Sequence, residues 1–178
     1  MKVLLVGETD RTDAFRLRLA NQPQVEIEVS DGDSDEDFDE YDVIFDLNFD
    51  DDNSNLPIYA TLKEKHVFVS ATKQSLAEAV YEHQVKVKCC LFGINAIPAF
   101  ANDAKWEVVL YRKFETAELE KTLSTLGVAF VAVEDRVGLV KPRVIFQIIN
   151  EACFTLQEGV ASIEAIDFSM QLGPHYPF

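Results

Sequence analysis

After Gly7 the chain has no glycine until Gly32, and between His83 and His175 it has no histidine. The first gap excludes a phosphate loop of closely spaced glycines near the amino end. The second leaves His66, His83 and His175 without zinc-ligand spacing, so each reads as a surface or strand-end residue. No apolar run is long enough for a membrane span, and no small-residue cleavage site follows the first one. Three cysteines, an odd number with no metal-type spacing, exclude a disulfide framework and point to a reducing, cytoplasmic setting. Cys89 and Cys90 are adjacent on an expected strand and should face opposite ways. All three thiols, Cys153 included, read as small buried hydrophobes.

Positive charge is also scarce. The formal charge is −15, and residues 31–52 hold twelve acids and no Lys or Arg, which leaves nineteen acids against sixteen bases elsewhere. That balance argues against nucleic acid or an anionic membrane as a partner. The acidic segment "DGDSDEDFDE" does not make a calcium loop. Counted from Asp31, its sixth position is Glu36 where a glycine is needed, and its twelfth is Asp42 where a bidentate Glu is needed. It reads as a solvated loop.

What is present is periodicity. "KVLLV" predicts a first strand, residues 11–21 a short helix, and "VEIEVS" an alternating, half-buried strand. "YDVIFDL", "HVFVSA", residues 85–92, "WEVVLYR" and "VAFVAV" predict further strands, with helices over 56–64, 73–83 and 116–126. Strands alternating with helices predict an α/β fold, a Rossmann-like and mostly parallel sheet. After residue 134 the pattern turns all-helical. Pro142 fits only a first turn, Gly159 is a stop, and Ser162 is an N-cap for a second helix ending near Gly173. Two domains are expected, 1–134 and 135–178. The apolar stripe at 144, 145, 148, 149, 152 and 156 should be a core or dimer face.

The tail "EDRVGLVKPRVIFQIINEACFTLQEGVASIEAIDFSMQLGPHYPF" resembles the 3-hydroxyacyl-CoA dehydrogenase family. That family reads D-x-P-G-F-I-V-N-R, then E-A, E-G-V-A, I-D-x-A-M, G and P-M-G-P. Asp135, Gly138, Arg143, Glu151, Ala152, Glu158 to Ala161, Ile166, Asp167, Met170, Gly173 and Pro177 fall in register. Upstream, "YDVIFDL" resembles D-L-V-x-E-A, "VFVSATKQSL" resembles S-N-T-S-S-L, and "LFGINAIPAF" with "WEVVL" resembles G-x-H-F-F-N-P with L-V-E-V-V. The amino-terminal half is contracted, with about thirty-five residues between the first strand and "YDVIF", and the tail stops short of the family's further helices.

The resemblance implies an NAD-binding domain, an acyl-CoA substrate, a His–Glu pair, a Ser and an Asn at the active site, and dimerisation through the helical domain. Residue by residue, the His position falls on Phe92, the Ser position on Lys73 and the Asn position on Pro142. The Glu matches Glu107, and Asn95 reads as a loop-shaping residue. A phenyl ring cannot take a proton, so the general base is missing. The dinucleotide turn G-x-G-x-x-G aligns with Gly7-Glu8-Thr9-Asp10-Arg11-Thr12. Gly7 can still make the turn. Thr9 crowds the pyrophosphate, Thr12 obstructs helix packing, and Glu8, Asp10 and Asp13 repel a diphosphate, with Arg11 able to offset one of them. Asp31 lies where a ribose-binding acid would sit.

The expectation is therefore a dehydrogenase-like chain without NAD or hydride transfer that keeps the fold and a homodimer through the C-terminal helices. A role in binding an acyl-CoA-like ligand stays open. Lys73, Lys86, Lys88 and Lys105 are the cations available to its phosphates, though each also reads as an ordinary solvated lysine. The alternatives are an active NAD-dependent 3-hydroxybutyryl-CoA dehydrogenase of fatty acid metabolism and a purely structural interaction module.

Overall fold

Strands covered on both faces need uninterrupted apolar runs, and the central runs of this chain are of that kind. The computed structural model describes residues 1–31 and 36–173. His175, Pro177 and the closing "HYPF", with residues 32–35 of the acidic segment, lie outside the described residues. Two compact units are present, Met1–Leu139 and Val140–Phe178.

In the first unit the order is β1 (Lys2–Val6), α1 (Thr9–Leu19), β2 (Glu26–Ser30), β3 (Val43–Asp46), α2 (Leu56–Tyr59), β4 (His66–Ser70), α3 (Leu76–His83), β5 (Cys90–Ile94), β6 (Lys105–Leu110), α4 (Thr116–Thr125) and β7 (Ala129–Val133). Among the described residues seven strands form one sheet in the order β2-β1-β3-β4-β5-β6-β7. All neighbours are parallel except β5 and β6. The fold class is thus the α/β, Rossmann-like one.

Alternation along the central strands feeds two cores. Leu4, Val6, Ile44, Val67, Val69, Leu91 and Val109 share one with Leu56, Tyr59, Leu76 and Val80 from α2 and α3. Val3, Leu5, Val43, Phe45, Phe68, Phe92 and Val108 share the other with Phe15 and Leu19 of α1 and with Leu119 and Leu123 of α4. Cys89 enters the first core and Cys90 packs on the second, so the adjacent thiols do face opposite ways. Cys153, in contrast, is exposed on its helix rather than buried.

Two elements differ from the sequence expectation. The strand expected over 85–92 begins only at Cys90, because the carbonyls of Val87 and Cys89 are taken by the Arg112 guanidinium at 3.1 and 2.5 Å instead of by a ladder. The helix expected over 56–64 is a single turn, and the Ala60 carbonyl accepts from Lys88 N–H at 2.8 Å.

The first unit extends to Leu139, past the composition change at 134, because the segment after β7 is stitched to α3. The Asp135 carboxylate accepts from the N–H groups of Leu76 (3.0 Å) and Ala77 (2.9 Å). Gly138 N–H reaches Thr72 O at 2.7 Å, and Leu139 is buried in the first core. This capping from a distant segment supplements Ser75, whose hydroxyl accepts from Glu78 N–H.

The second unit is a helical pair, α5 (Lys141–Gln157) and α6 (Ile163–Leu172). Pro142 sits in the first turn of α5, where its missing N–H costs nothing. Gly159 follows α5 at φ +69°, a conformation suited to glycine, and Ser162 Oγ caps α6 by accepting from Ala165 N–H. Ile148, Ala152 and Thr155 of α5 and Ile166 and Met170 of α6 line a mostly apolar groove of about 490 Å³. Val144, Phe146, Ile149, Phe154, Leu156, Ile163, Phe168 and Leu172 remain exposed. Among the described residues no helix is long and apolar enough to cross a membrane.

Candidate functional site

In an open α/β sheet, ligands bind outside the carboxyl ends of the strands where the strand order reverses. Here that point lies between β1 and β3, since β2 flanks β1 on the other side. The turn after β1 and the loop after β3 (residues 47–53) form the walls.

Gly7 makes the turn out of β1 at φ +142°, and its N–H donates to Ser30 O at 3.1 Å. A Cβ here would stand 3.0 Å from Asn48 Oδ1, so the position needs glycine for its backbone and for space. The next residues bond to the opposite wall. Glu8 N–H donates to Asn48 Oδ1 (3.3 Å). Arg11 donates to Leu47 O (2.5 Å) and to Asp51 Oδ2 (2.8 Å). Arg11 therefore does not pair with Glu8, Asp10 or Asp13; it bridges the crevice. Thr12 does not obstruct α1: it is buried, and its hydroxyl turns back to Glu8 O and Thr9 O. Asp31 is exposed at the end of β2.

The loop after β3 is tied on its far side as well. Asp50 accepts from the hydroxyls of Ser70 and Thr72 and from the N–H groups of Thr72 and Lys73, both at 2.8 Å. Lys73 Nζ meets Asp51, so one carboxylate holds both Arg11 and Lys73, and these two cations depress its pKa. Asp46, the last residue of β3, is 2 % exposed. Burial pushes its carboxyl up to about 6, although Tyr59 O–H (3.0 Å) and Asn48 N–H (3.1 Å) both donate to it.

The positions expected to carry proton chemistry are scattered. Phe92 lies within β5, wholly buried, in an aromatic row with Phe45 and Phe68 that follows the strand register; adjacent rings are 4.7 and 4.9 Å apart. No reactant reaches that position. β5 ends at Ile94, and the residue at its carboxyl end is Asn95. Asn95 and Glu107 line one small recess with Phe100, Asp103 and Trp106, with room for about one water (10 Å³). A Glu therefore sits beside an amide, not an imidazole. The register of G-x-H onto Gly93-Ile94-Asn95 was the available sequence signal for this.

His66 and His83 are engaged elsewhere. The His66 ring meets Thr122 Oγ1 (3.2 Å) and Glu118 (3.7 Å), and burial lowers its pKa. The His83 ring meets Asn53 Oδ1 at 2.8 Å. Pro142 belongs to the second unit. Lys73 follows the carboxyl end of β4, whereas Lys86 and Lys88 precede the amino end of β5, so these lysines form no common patch. Among the described residues no group of three or more His, Cys, Asp or Glu could hold a metal ion.

Residues 138–178 match the family model of the 3-hydroxyacyl-CoA dehydrogenase C-terminal domain. A 55-residue segment is 42% identical to a 3-hydroxybutyryl-CoA dehydrogenase of Bradyrhizobium diazoefficiens, covering 31% of this chain and 19% of that protein. A 52-residue segment is 46% identical to a probable 3-hydroxybutyryl-CoA dehydrogenase of Bacillus subtilis, covering 29% and 18%. The matched segment spans about a fifth of the length of these curated relatives. The (S)-3-hydroxybutyryl-CoA dehydrogenase structure from Ralstonia eutropha superposes with a TM-score of 0.73 at 18% identity, covering 99% of this chain and 78% of that one. The 3-hydroxyacyl-CoA dehydrogenase structure from Archaeoglobus fulgidus gives 0.72 at 15% identity, covering 96% and 68%. The solved structures bear on the fold alone. The matches to the tail make that segment similar to the 3-hydroxyacyl-CoA dehydrogenases.

Proposed function

We propose that this chain is a catalytically silent relative of the 3-hydroxyacyl-CoA dehydrogenases, without NAD binding or hydride transfer. The observation that carries the reading is the bridged crevice. In a dinucleotide site the turn after β1 offers its backbone N–H groups and a bare glycine surface to a pyrophosphate. Here Glu8 N–H is donated to Asn48, and Arg11 crosses to Leu47 O and Asp51. The branched side chain of Thr9 stands where the second glycine would. The residues present do not fit a dinucleotide diphosphate.

The second support is chemical. Glu107 shares its recess with Asn95, and an amide has no proton-accepting nitrogen near neutral pH, so the recess holds no general base of the imidazole kind. What the chain keeps is a scaffold. The exposed apolar residues of α5 and α6 support a homodimer through those helices, and the groove between them supports an acyl chain or a partner helix as occupant.

The test is NADH oxidation with acetoacetyl-CoA. The expected outcome is no turnover above buffer. A rate within tenfold of an ordinary enzyme's roughly 10 s⁻¹ would establish the active dehydrogenase instead.

A further inference from the structure

The sheet has two edges, and they are guarded differently. β2 carries Glu26 and Glu28, and Glu28 is held by Lys2 at 3.2 Å and by the Tyr41 hydroxyl at 2.7 Å. Charge on an edge strand deters pairing with another chain. β7 reads Ala-Phe-Val-Ala-Val, with no charge, proline or glycine. Among the described residues it pairs only with β6, in parallel register from Lys105↔Ala129 to Val109↔Val133. Alternate N–H and C=O groups of a strand point away from its one neighbour. Among the described residues, no hydrogen bond outside that ladder involves 129–133. Ala129, Val131 and Ala132 are exposed, Val131 by 47 %.

The charge distribution says what fits there. The acids of residues 36–52 flank β3, four strands from β7. At 4.7–4.9 Å per strand that is about 19 Å, roughly twice the screening length at physiological salt. Two copies joined at β7 would hold their acidic ends on the far sides of the assembly, whereas joining at β2 would bring them together.

We infer that β7 is an interface between two copies of this chain. The strands pair antiparallel about a two-fold axis through Val131, and the two sheets become one of fourteen strands. That register sets Phe130 against the partner's Ala132 and Ala129 against the partner's Val133, large beside small, with no charge facing itself. The inference is independent of the catalytically silent reading and of any contact made by α5 and α6.

Light scattering on the full chain, with Val131→Lys as the variant, tests it. Lysine at the two-fold puts like charges directly opposite, so the molar mass should fall by half. Val131→Cys in a Cys153→Ser background, needed because Cys153 is exposed, should cross-link through a short bis-maleimide to twice the 20.1 kDa chain mass. The cross-link decides the matter if Val131→Lys fails to fold. A wild-type chain that is monomeric at about 100 μM, an unchanged mass in a folded Val131→Lys, or no cross-link would overturn the inference.

Discussion

Replacing Asp46 by Asn should stabilise the protein at neutral pH and leave it unchanged in acid. The carboxyl is 2 % exposed, and burial raises its pKa from 3.8 to about 6. A carboxyl that holds its proton more tightly when folded contributes stability fully present below the unfolded value. That contribution is lost as pH rises through the folded one. The displacement corresponds to about 3 kcal/mol, so wild type should lose on the order of that amount between pH 4 and pH 7.5. Asparagine keeps both hydrogen bonds. Its oxygen accepts from Asn48 N–H, and its amide can donate to the Tyr59 oxygen, whose own proton is free to turn. Urea unfolding followed by Trp106 fluorescence reads the first unit, because Trp106 is the single tryptophan and packs 5.0 Å from Phe15. At pH 7.5 the Asp46→Asn midpoint should rise by about 1 M, and at pH 4 the two proteins should coincide. A variant weaker than wild type at pH 7.5, or a gain of equal size at both pH values, would refute the reasoning.

Other outcomes follow from the same contacts. Arg11→Ala removes the bond to Leu47 O and a partly exposed ion pair, so it should cost about 1–2 kcal/mol in urea unfolding and confer no NADH binding. Asp135→Ala uncovers the N–H groups of Leu76 and Ala77 and should cost about 1–2 kcal/mol, which hydrogen exchange at the start of α3 would localise. Gly93→Ala sets a Cβ 2.8 Å from the Ala71 Cβ, a contact between two methyl groups that no rotamer change can relieve; a loss of about 1–3 kcal/mol is expected by thermal unfolding.

The sheet was legible because its central strands are buried on both faces and their sequences are correspondingly continuous. Edges and ends were less so. Residues 85–89 have strand-like alternation, yet the carbonyls of Val87 and Cys89 are satisfied by Arg112, a side chain more than twenty residues away that no local pattern announces. Cys153 looked like a core residue because its neighbours are apolar, but most of α5 is exposed, and only Pro142 is buried. At the candidate site the absence of a glycine between Gly7 and Gly32 was visible directly. The bridge made by Arg11 was not, because Leu47 and Asp51 lie 36 and 40 residues away. Phe92 lies within β5, and Asn95, three positions on, follows its last residue, Ile94. The structure separates the ring that stacks between strands from the amide at the strand's end.

The central claim is that the crevice between β1 and β3 is closed to a dinucleotide by the protein's own contacts. Calorimetric titration of the full chain with NADH measures this most directly. The account predicts no saturable heat at about 1 mM ligand, a binding free energy weaker than about −4 kcal/mol. Stoichiometric binding with a micromolar Kd that is abolished by Gly7→Val would contradict it.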